Sequence, residues 1–216
     1  MKKDIVKKIV TYDSILDKQM IALSTREQDV FFLALFYMQH KNDLVVPYSV
    51  FKNMLNTEIP NRAVFSRILK SIMDKLENSP AIDIEHVNKL NIFKDLSLND
   101  KGDVHISLNS DYYFLFENSY EKSTKKLYLD VMMKMSSKYD KTLYRILSSY
   151  KNSSSGWHRV TEDELHQLMC FPDLTQKAKN NYRIKKSVES ISQFLKVEYE
   201  IKINIFGSKY FHFKIS

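Results

Sequence analysis

Five cations and two carboxamides fall within ten residues of this chain: Lys177, Lys179, Asn180, Asn181, Arg183, Lys185 and Lys186. No acid interrupts them, since none occurs between Asp173 and Glu189. Such a set suits a polyanion whose edges carry hydrogen-bonding groups. Arginine pairs bidentately with guanine and asparagine with adenine, which suits Arg183, Asn180 and Asn181. Lysines grip phosphates, which position a protein on a duplex without reading its sequence, which suits Lys185 and Lys186. At about 100° per residue, Lys179, Arg183, Lys186 and Ser190 lie within about 60° of one another on a helix. Ile184, Val188, Ile191 and Leu195 lie on the opposite side, also within about 60°. One face can pack on a core while the other offers cations and a hydroxyl.

Other chemistries lack their residues. The glycine-rich loops that cradle nucleotide phosphates are absent, and the chain has only 3 glycines. None of the 6 histidines has another two positions away, as metal-assisted nicking by a tyrosine would require, and neither a HExxH helix nor a GxSxG turn occurs. Glu162-Asp163-Glu164 could be imagined around Mg²⁺, but the run opens a helix, where carboxylates stabilise free backbone N–H groups. Cys170 is the single cysteine, which excludes an internal disulfide and reads as a small buried side chain. No catalytic residue, metal site or cofactor is expected. A nuclease or relaxase is the enzymatic alternative, and nicking of supercoiled DNA in Mg²⁺ would expose it.

The elements that carry these residues follow one plan, used twice. Ser24 and Glu27 form a capping box ahead of the apolar run 30–38. Val45-Val46-Pro47 reads as extended. A short helix covers 48–55, and a third follows Pro60 over about 61–76 with Phe65, Ile68, Leu69, Ile72 and Leu76 at helical spacing. Strands over 92–98 and 104–108 flank a turn at 99–103. The second half has a long helix over 127–150 with a break near Ser136-Ser137, then a loop at 152–156. A second capping box, Thr161 with Glu164, opens a helix to about Cys170. The basic helix runs over about 177–195. Strict alternation over 196–205 predicts a half-buried strand, and 210–215 its partner. Three helices and a hairpin, twice over, make an α+β chain of two tandem winged helices. The boundary falls in the polar stretch 118–126, giving domains 1–120 and 121–216.

The basic helix is the third of its unit, where a recognition helix sits, and its cations crowd the end that reaches base edges. Its counterpart in the first half carries Arg67 and Lys70 beside Asp74, a weaker face suited to auxiliary contact. Lys101 in one wing turn and Ser208-Lys209 in the other can meet a phosphate or the minor groove.

Charge divides along the same line. The net charge of +7 splits into −1 over residues 1–122 (16 Lys and Arg, 17 Asp and Glu) and +8 over 123–216 (17 and 9). Concentrated positive charge favours a polyanion through counterion release. Residues 1–10 alternate Lys with apolar residues and do not read as a signal peptide. No apolar run approaches the roughly 18 residues of a membrane span, so a cytoplasmic protein is expected.

The chain resembles the iteron-binding plasmid replication initiators, the Rep_3 or RepB-type family, over nearly its whole length. Leu23-Ser24 followed by Glu27 and an apolar helix looks like the family's opening. Ser137-Lys138-Tyr139, Leu143-Tyr144-Arg145-Ile146-Leu147 and Tyr150 resemble the helix that starts its second winged helix. Tyr182-Arg183-Ile184-Lys185-Lys186-Ser187-Val188, through Ile191 to the following strand, looks like its recognition helix. A departure is Glu189-Ser190-Ile191, a shifted form of a pattern usual late in that helix. The resemblance implies homodimers joined through the first unit, monomers bound to double-stranded origin repeats, origin opening, recruitment of the host initiator and helicase, and repression of the protein's own gene. The alternative is a winged-helix transcriptional repressor with no part in replication.

Overall fold

A computed structural model describes residues 8–39, 41–55, 59, 61–78, 91–116, 124–150 and 156–215. Pro60, most of the expected 152–156 loop and most of the polar stretch 118–126 lie outside these residues. The chain divides into two compact units, Met1–Lys134 and Met135–Ser216.

Unit 1 opens with β1 (Ile9–Asp13) and a 3-10 helix over Ser14–Ala22. Helix α1 (Thr25–Met38) starts at a complete capping box. The Ser24 hydroxyl accepts from the Glu27 N–H at 3.4 Å, and the Glu27 carboxylate accepts from the Ser24 N–H at 2.6 Å. The run from Val30 to Leu35 is buried throughout, so α1 is the centre of the unit's core. Glu27 also binds across the core, accepting from Ser71 at 2.6 Å and Lys75 at 2.6 Å. Burial pushes its carboxyl up, but the bonds from Lys75, Ser71 and Ser24 together outweigh burial and hold it below the ordinary value.

Among the described residues, unit 1 continues with β2 (Asp43–Val46), α2 (Tyr48–Met54), α3 (Arg62–Glu77), β3 (Phe93–Leu98), β4 (Val104–Leu108), a 3-10 helix over Ser110–Leu115, β5 (Thr124–Tyr128) and a one-turn α4 (Leu129–Met132). Asn61 caps α3, its carboxamide oxygen accepting from Val64 N–H at 2.9 Å. Phe65, Leu69, Ile72 and Leu76 form the buried face of α3. The antiparallel sheet has the order β2-β4-β3, and β1 pairs with β5 separately.

Unit 2 repeats the arrangement with α5 (Lys138–Tyr150), β6 (Trp157–Thr161), α6 (Glu162–Leu168), α7 (Lys177–Ile191), β7 (Val197–Ile203) and β8 (Lys209–Ile215). Its sheet has the order β6-β8-β7, equivalent to that of unit 1. Each unit therefore contains a helix, a strand, two helices and a hairpin, to which unit 1 adds the β1–β5 pair, α4 and two 3-10 helices.

The structure corrects several expectations. The long helix over 127–150 is three elements. Leu127 and Tyr128 pair with Val10 and Ile9 as strand, α4 lasts four residues, and α5 begins only after Ser137. The Ser137 hydroxyl accepts from Tyr139 N–H at 3.1 Å, which fixes that start. The pairing of β5 with β1 also carries the unit boundary to Lys134 rather than residue 120. The short strand β6, unassigned from sequence, matches the extended Val45-Val46 of β2. Only half of the second capping box forms: the Thr161 hydroxyl accepts from Glu164 N–H at 3.2 Å. Cys170 is half-buried and sits at φ 54°, where it ends α6 in a left-handed turn.

Candidate nucleic-acid interface

Helix α7 is held by its polar residues as much as by its apolar ones. Ile184, Val188 and Ile191 are buried, as is Ser187, whose hydroxyl donates to Asp140 of α5 at 2.7 Å. Leu195 lies beyond the end of α7 and is half-buried. Asn180 is only 1% exposed; its amide donates to the Asp173 carbonyl at 2.8 Å and ties the α6–α7 turn to the helix. In that turn the Asp173 carboxylate accepts from the Thr175 N–H and hydroxyl and from Gln176, which hold it below the ordinary value.

Asn181 is half-buried and engaged at both ends of its carboxamide. It donates to Glu162 at 2.6 Å and stands 2.7 Å from His166 Nε2, a buried ring of α6. The two asparagines expected at base edges are engaged within unit 2 instead, Asn180 by the Asp173 carbonyl and Asn181 by Glu162 and His166.

The exposed face carries Ala178, Lys179, Tyr182, Lys185, Lys186 and Glu189. Tyr182 is 61% exposed and occupies the middle of this face, between Lys179 on one side and Lys185 on the other. From sequence, Tyr182 enters only as part of the family-like segment 182–188, with no role of its own. Its place between cations on the helical wheel was the available signal. Among the described residues, Lys179 and Lys185 have no acidic partner within ion-pair distance. Lys186 is paired with Glu189 at 2.9 Å, one turn on.

Arg183 lies at the edge of the face and is half-buried. Its guanidinium rests over the rings of Tyr139, 5.1 Å from the centroid, and Phe171, at 5.9 Å. Cation–π contact of this kind orients the planar fork without consuming its N–H donors. Ser190 is half-buried. Lys177 is drawn to the acids at the start of α6, 2.7 Å from Asp163 and 3.6 Å from Glu162. The bond to Asp163 raises the Lys177 ammonium above its ordinary value. Lys209, on β8, approaches Glu162 at 3.8 Å. Glu162 and Asp163 are therefore engaged by lysines and Asn181 rather than converging on a common point.

In unit 1, Arg67 and Lys70 are exposed on α3, and so is Asp74. Arg62 lies over Tyr48, 5.3 Å from the ring centroid, and against the first wing turn. The cations of α3 and α7 stand on different units. Among the described residues no helix is long and apolar enough to cross a membrane.

Two tandem winged helices, the second with a cationic outward face on its third helix, define a class of DNA-binding proteins. A family model described as initiator replication protein, WH1, matches residues 9–148, more than half of the chain, and the chain belongs to that family. A solved crystal structure of the Pi initiator protein in complex with iteron DNA is similar in fold, with a TM-score of 0.73. The likeness covers 97% of this chain and 98% of that one at 14% identity. No curated protein matches the chain.

Proposed function

We propose that the chain initiates plasmid replication by binding repeated origin sequences, the iterons, as double-stranded DNA, with unit 2 as the principal reader. The observation that carries this reading is the outward face of α7, where Lys179, Tyr182, Lys185 and Lys186 stand exposed over a buried aliphatic spine. Family membership and the fold shared with an initiator that binds iteron DNA support it. Lys179, Lys185 and Lys186 neutralise phosphates, and Lys177 and Lys209 flank them. Arg183, oriented by Tyr139 and Phe171, pairs with guanine, and Tyr182 packs on base or sugar edges. Arg67 and Lys70 on unit 1 make auxiliary contacts. The protein acts by binding, without a catalytic step of its own, in the cytoplasm.

Unit 1 joins two copies as a homodimer. Its edge strand β2 offers unpaired backbone groups beside the exposed Val45. The dimer represses the protein's own gene, and the DNA-bound monomer opens the origin with the host initiator and helicase. Replacing Arg183 with Ala costs about 1–3 kcal/mol in repeat binding, as for loss of a bidentate guanine contact. Footprinting on the repeats of the cognate plasmid, paired with a replication assay of that plasmid, tests the whole reading. Protection of the repeats with loss of replication in the Arg183 variant is expected. Binding that supports repression but not replication would favour a plain repressor, and Mg²⁺-dependent nicking would reveal an enzyme.

A further inference from the structure

The wing of unit 2 ends in residues that a solvated turn does not call for. Its strands join through Asn204-Ile205-Phe206-Gly207-Ser208. The Asn204 carboxamide oxygen accepts from Phe206 N–H at 3.0 Å and Ser208 N–H at 2.9 Å, and Gly207 closes the turn at φ 78°. That fixed backbone presents Ile205 at 92% and Phe206 at 84% exposure. The wing of unit 1 uses the same turn. Asn99 accepts from the N–H groups of Lys101 and Asp103, both at 3.0 Å, and Gly102 lies at φ 75°. There the two tip positions hold Asp100 and Lys101. One turn geometry thus carries a charged tip in the first unit and an apolar tip in the second, so the fold does not require the apolar pair.

The surroundings point to what the pair meets. Ile203 and Ile201 continue an exposed apolar stripe below the tip, opposite Lys209 and Phe211 on β8. Lys202, which pairs with Glu200 at 2.6 Å, and Lys209, 3.8 Å from Glu162, flank it, both more than a third exposed. Phe206 of the turn and Lys209 of β8 line a cavity of about 370 Å³ together with Glu162, Asp163 and Lys177, the first residue of α7. The wing tip and the start of α7 therefore share one end of unit 2, and a duplex held along α7 meets both.

We propose that Ile205 and Phe206 form an apolar wedge that enters the minor groove beside the major groove occupied by α7 and partly unstacks one base step. This rests on the DNA-binding reading above and extends it. Apolar side chains inserted between base steps kink a duplex, and pyrimidine–purine steps yield most readily. Binding a repeat would then itself begin to deform the origin. The flanking lysines and the cavity shared with α7 favour a nucleic acid over a protein as the occupant.

The test uses the full chain and a repeat duplex carrying 2-aminopurine at successive steps on the wing side of the site, with dyes at its ends. The comparison variant combines Ile205→Asp with Phe206→Lys, which places the residues of the first wing's tip on the second turn. Because both side chains are exposed, its thermal melt should match that of the wild type. The wild type is expected to brighten 2-aminopurine at one or two adjacent steps and to bring the duplex ends closer. The variant is expected to lose both signals and about tenfold in repeat affinity. Repeat binding by the wild type with no brightening, or brightening retained by the variant, would overturn the wedge alone. A wild type that fails to bind the repeat by anisotropy would sink the DNA reading itself, and this inference with it.

Discussion

Glu162 is the residue at which three elements of unit 2 meet. It starts α6, accepts from Asn181 of α7, and draws Lys177 of α7 and Lys209 of β8. Replacing it with Ala leaves the Asn181 amide without its acceptor and should cost about 1–3 kcal/mol of stability, measured by urea unfolding. It also frees Lys209 and leaves Lys177 with Asp163 alone, removing one negative charge beside them, so non-specific DNA affinity at low salt should rise rather than fall. His105 makes a second residue-scale prediction. Its ring lies between Asp95, at 2.5 Å, and Asp43, at 3.2 Å. The bond to Asp95 raises its pKa, burial opposes this, and Asp43 adds to the rise. A raised histidine stabilises the fold fully below its ordinary value of 6.5 and loses that contribution as pH rises through the folded value. The urea midpoint should therefore fall from pH 6 towards pH 8.5, and His105→Gln should flatten that fall. At this scale the sequence is readable only in part. Ile184, Val188 and Ile191 announce themselves by spacing. Asn180 and Ser187 do not, because a polar side chain on a helical wheel looks solvated until its partners, the Asp173 carbonyl and the buried Asp140, are in place.

At the scale of elements, the two wing turns invite a direct comparison. Gly102 and Gly207 both have positive φ, so a side chain is strained at either. A Cβ at Gly102 would also stand 3.0 Å from the Arg62 guanidinium, whereas one at Gly207 would meet nothing within 4 Å. Both Ala variants should lose about 1 kcal/mol to backbone strain, and Gly102→Ala should lose more, because Arg62 must shift from its place over Tyr48. Thermal melts of the two variants measure the difference. Cys170 gives a related test. At φ 54°, Cys170→Val should destabilise by about 1–2 kcal/mol, while Cys170→Gly should be close to neutral.

Alternation and capping made most elements legible. The Ser24–Glu27 box, the spacing of α3 and the alternation of β7 all correspond to observed elements. What alternation cannot show is how far the body of the unit extends. It predicts a half-buried strand over 196–205, yet Ile201 and Ile203 project past the core. The break expected near Ser136-Ser137 is present, since α5 starts at Lys138, but periodicity cannot separate β5 from the helix that follows it, because that strand depends on a partner more than a hundred residues earlier, β1.

Across the whole molecule, charge follows the observed units. Residues 1–134 hold 19 Lys and Arg against 18 Asp and Glu, a net +1, while residues 135–216 hold 14 against 8, a net +6. Repetition of one plan in both halves was visible in the sequence. The division at Lys134 was not, because β1 and β5 are distant in the chain and neighbours only in the fold. On the proposed reading, unit 2, where the positive charge is concentrated, supplies the electrostatic part of DNA affinity. Counterion release makes that assignment measurable, since each phosphate contact adds roughly 0.9 to the slope of log K against log salt.

The most direct measurement is a salt titration of binding to a single-repeat duplex, comparing the wild type with Lys179→Ala combined with Lys185→Ala. These are the exposed lysines of α7 without an acidic partner among the described residues. The slope should fall by about 2, one for each lysine, with the preference for the repeat over a scrambled duplex retained. An unchanged slope and affinity would contradict the placement of α7 against DNA.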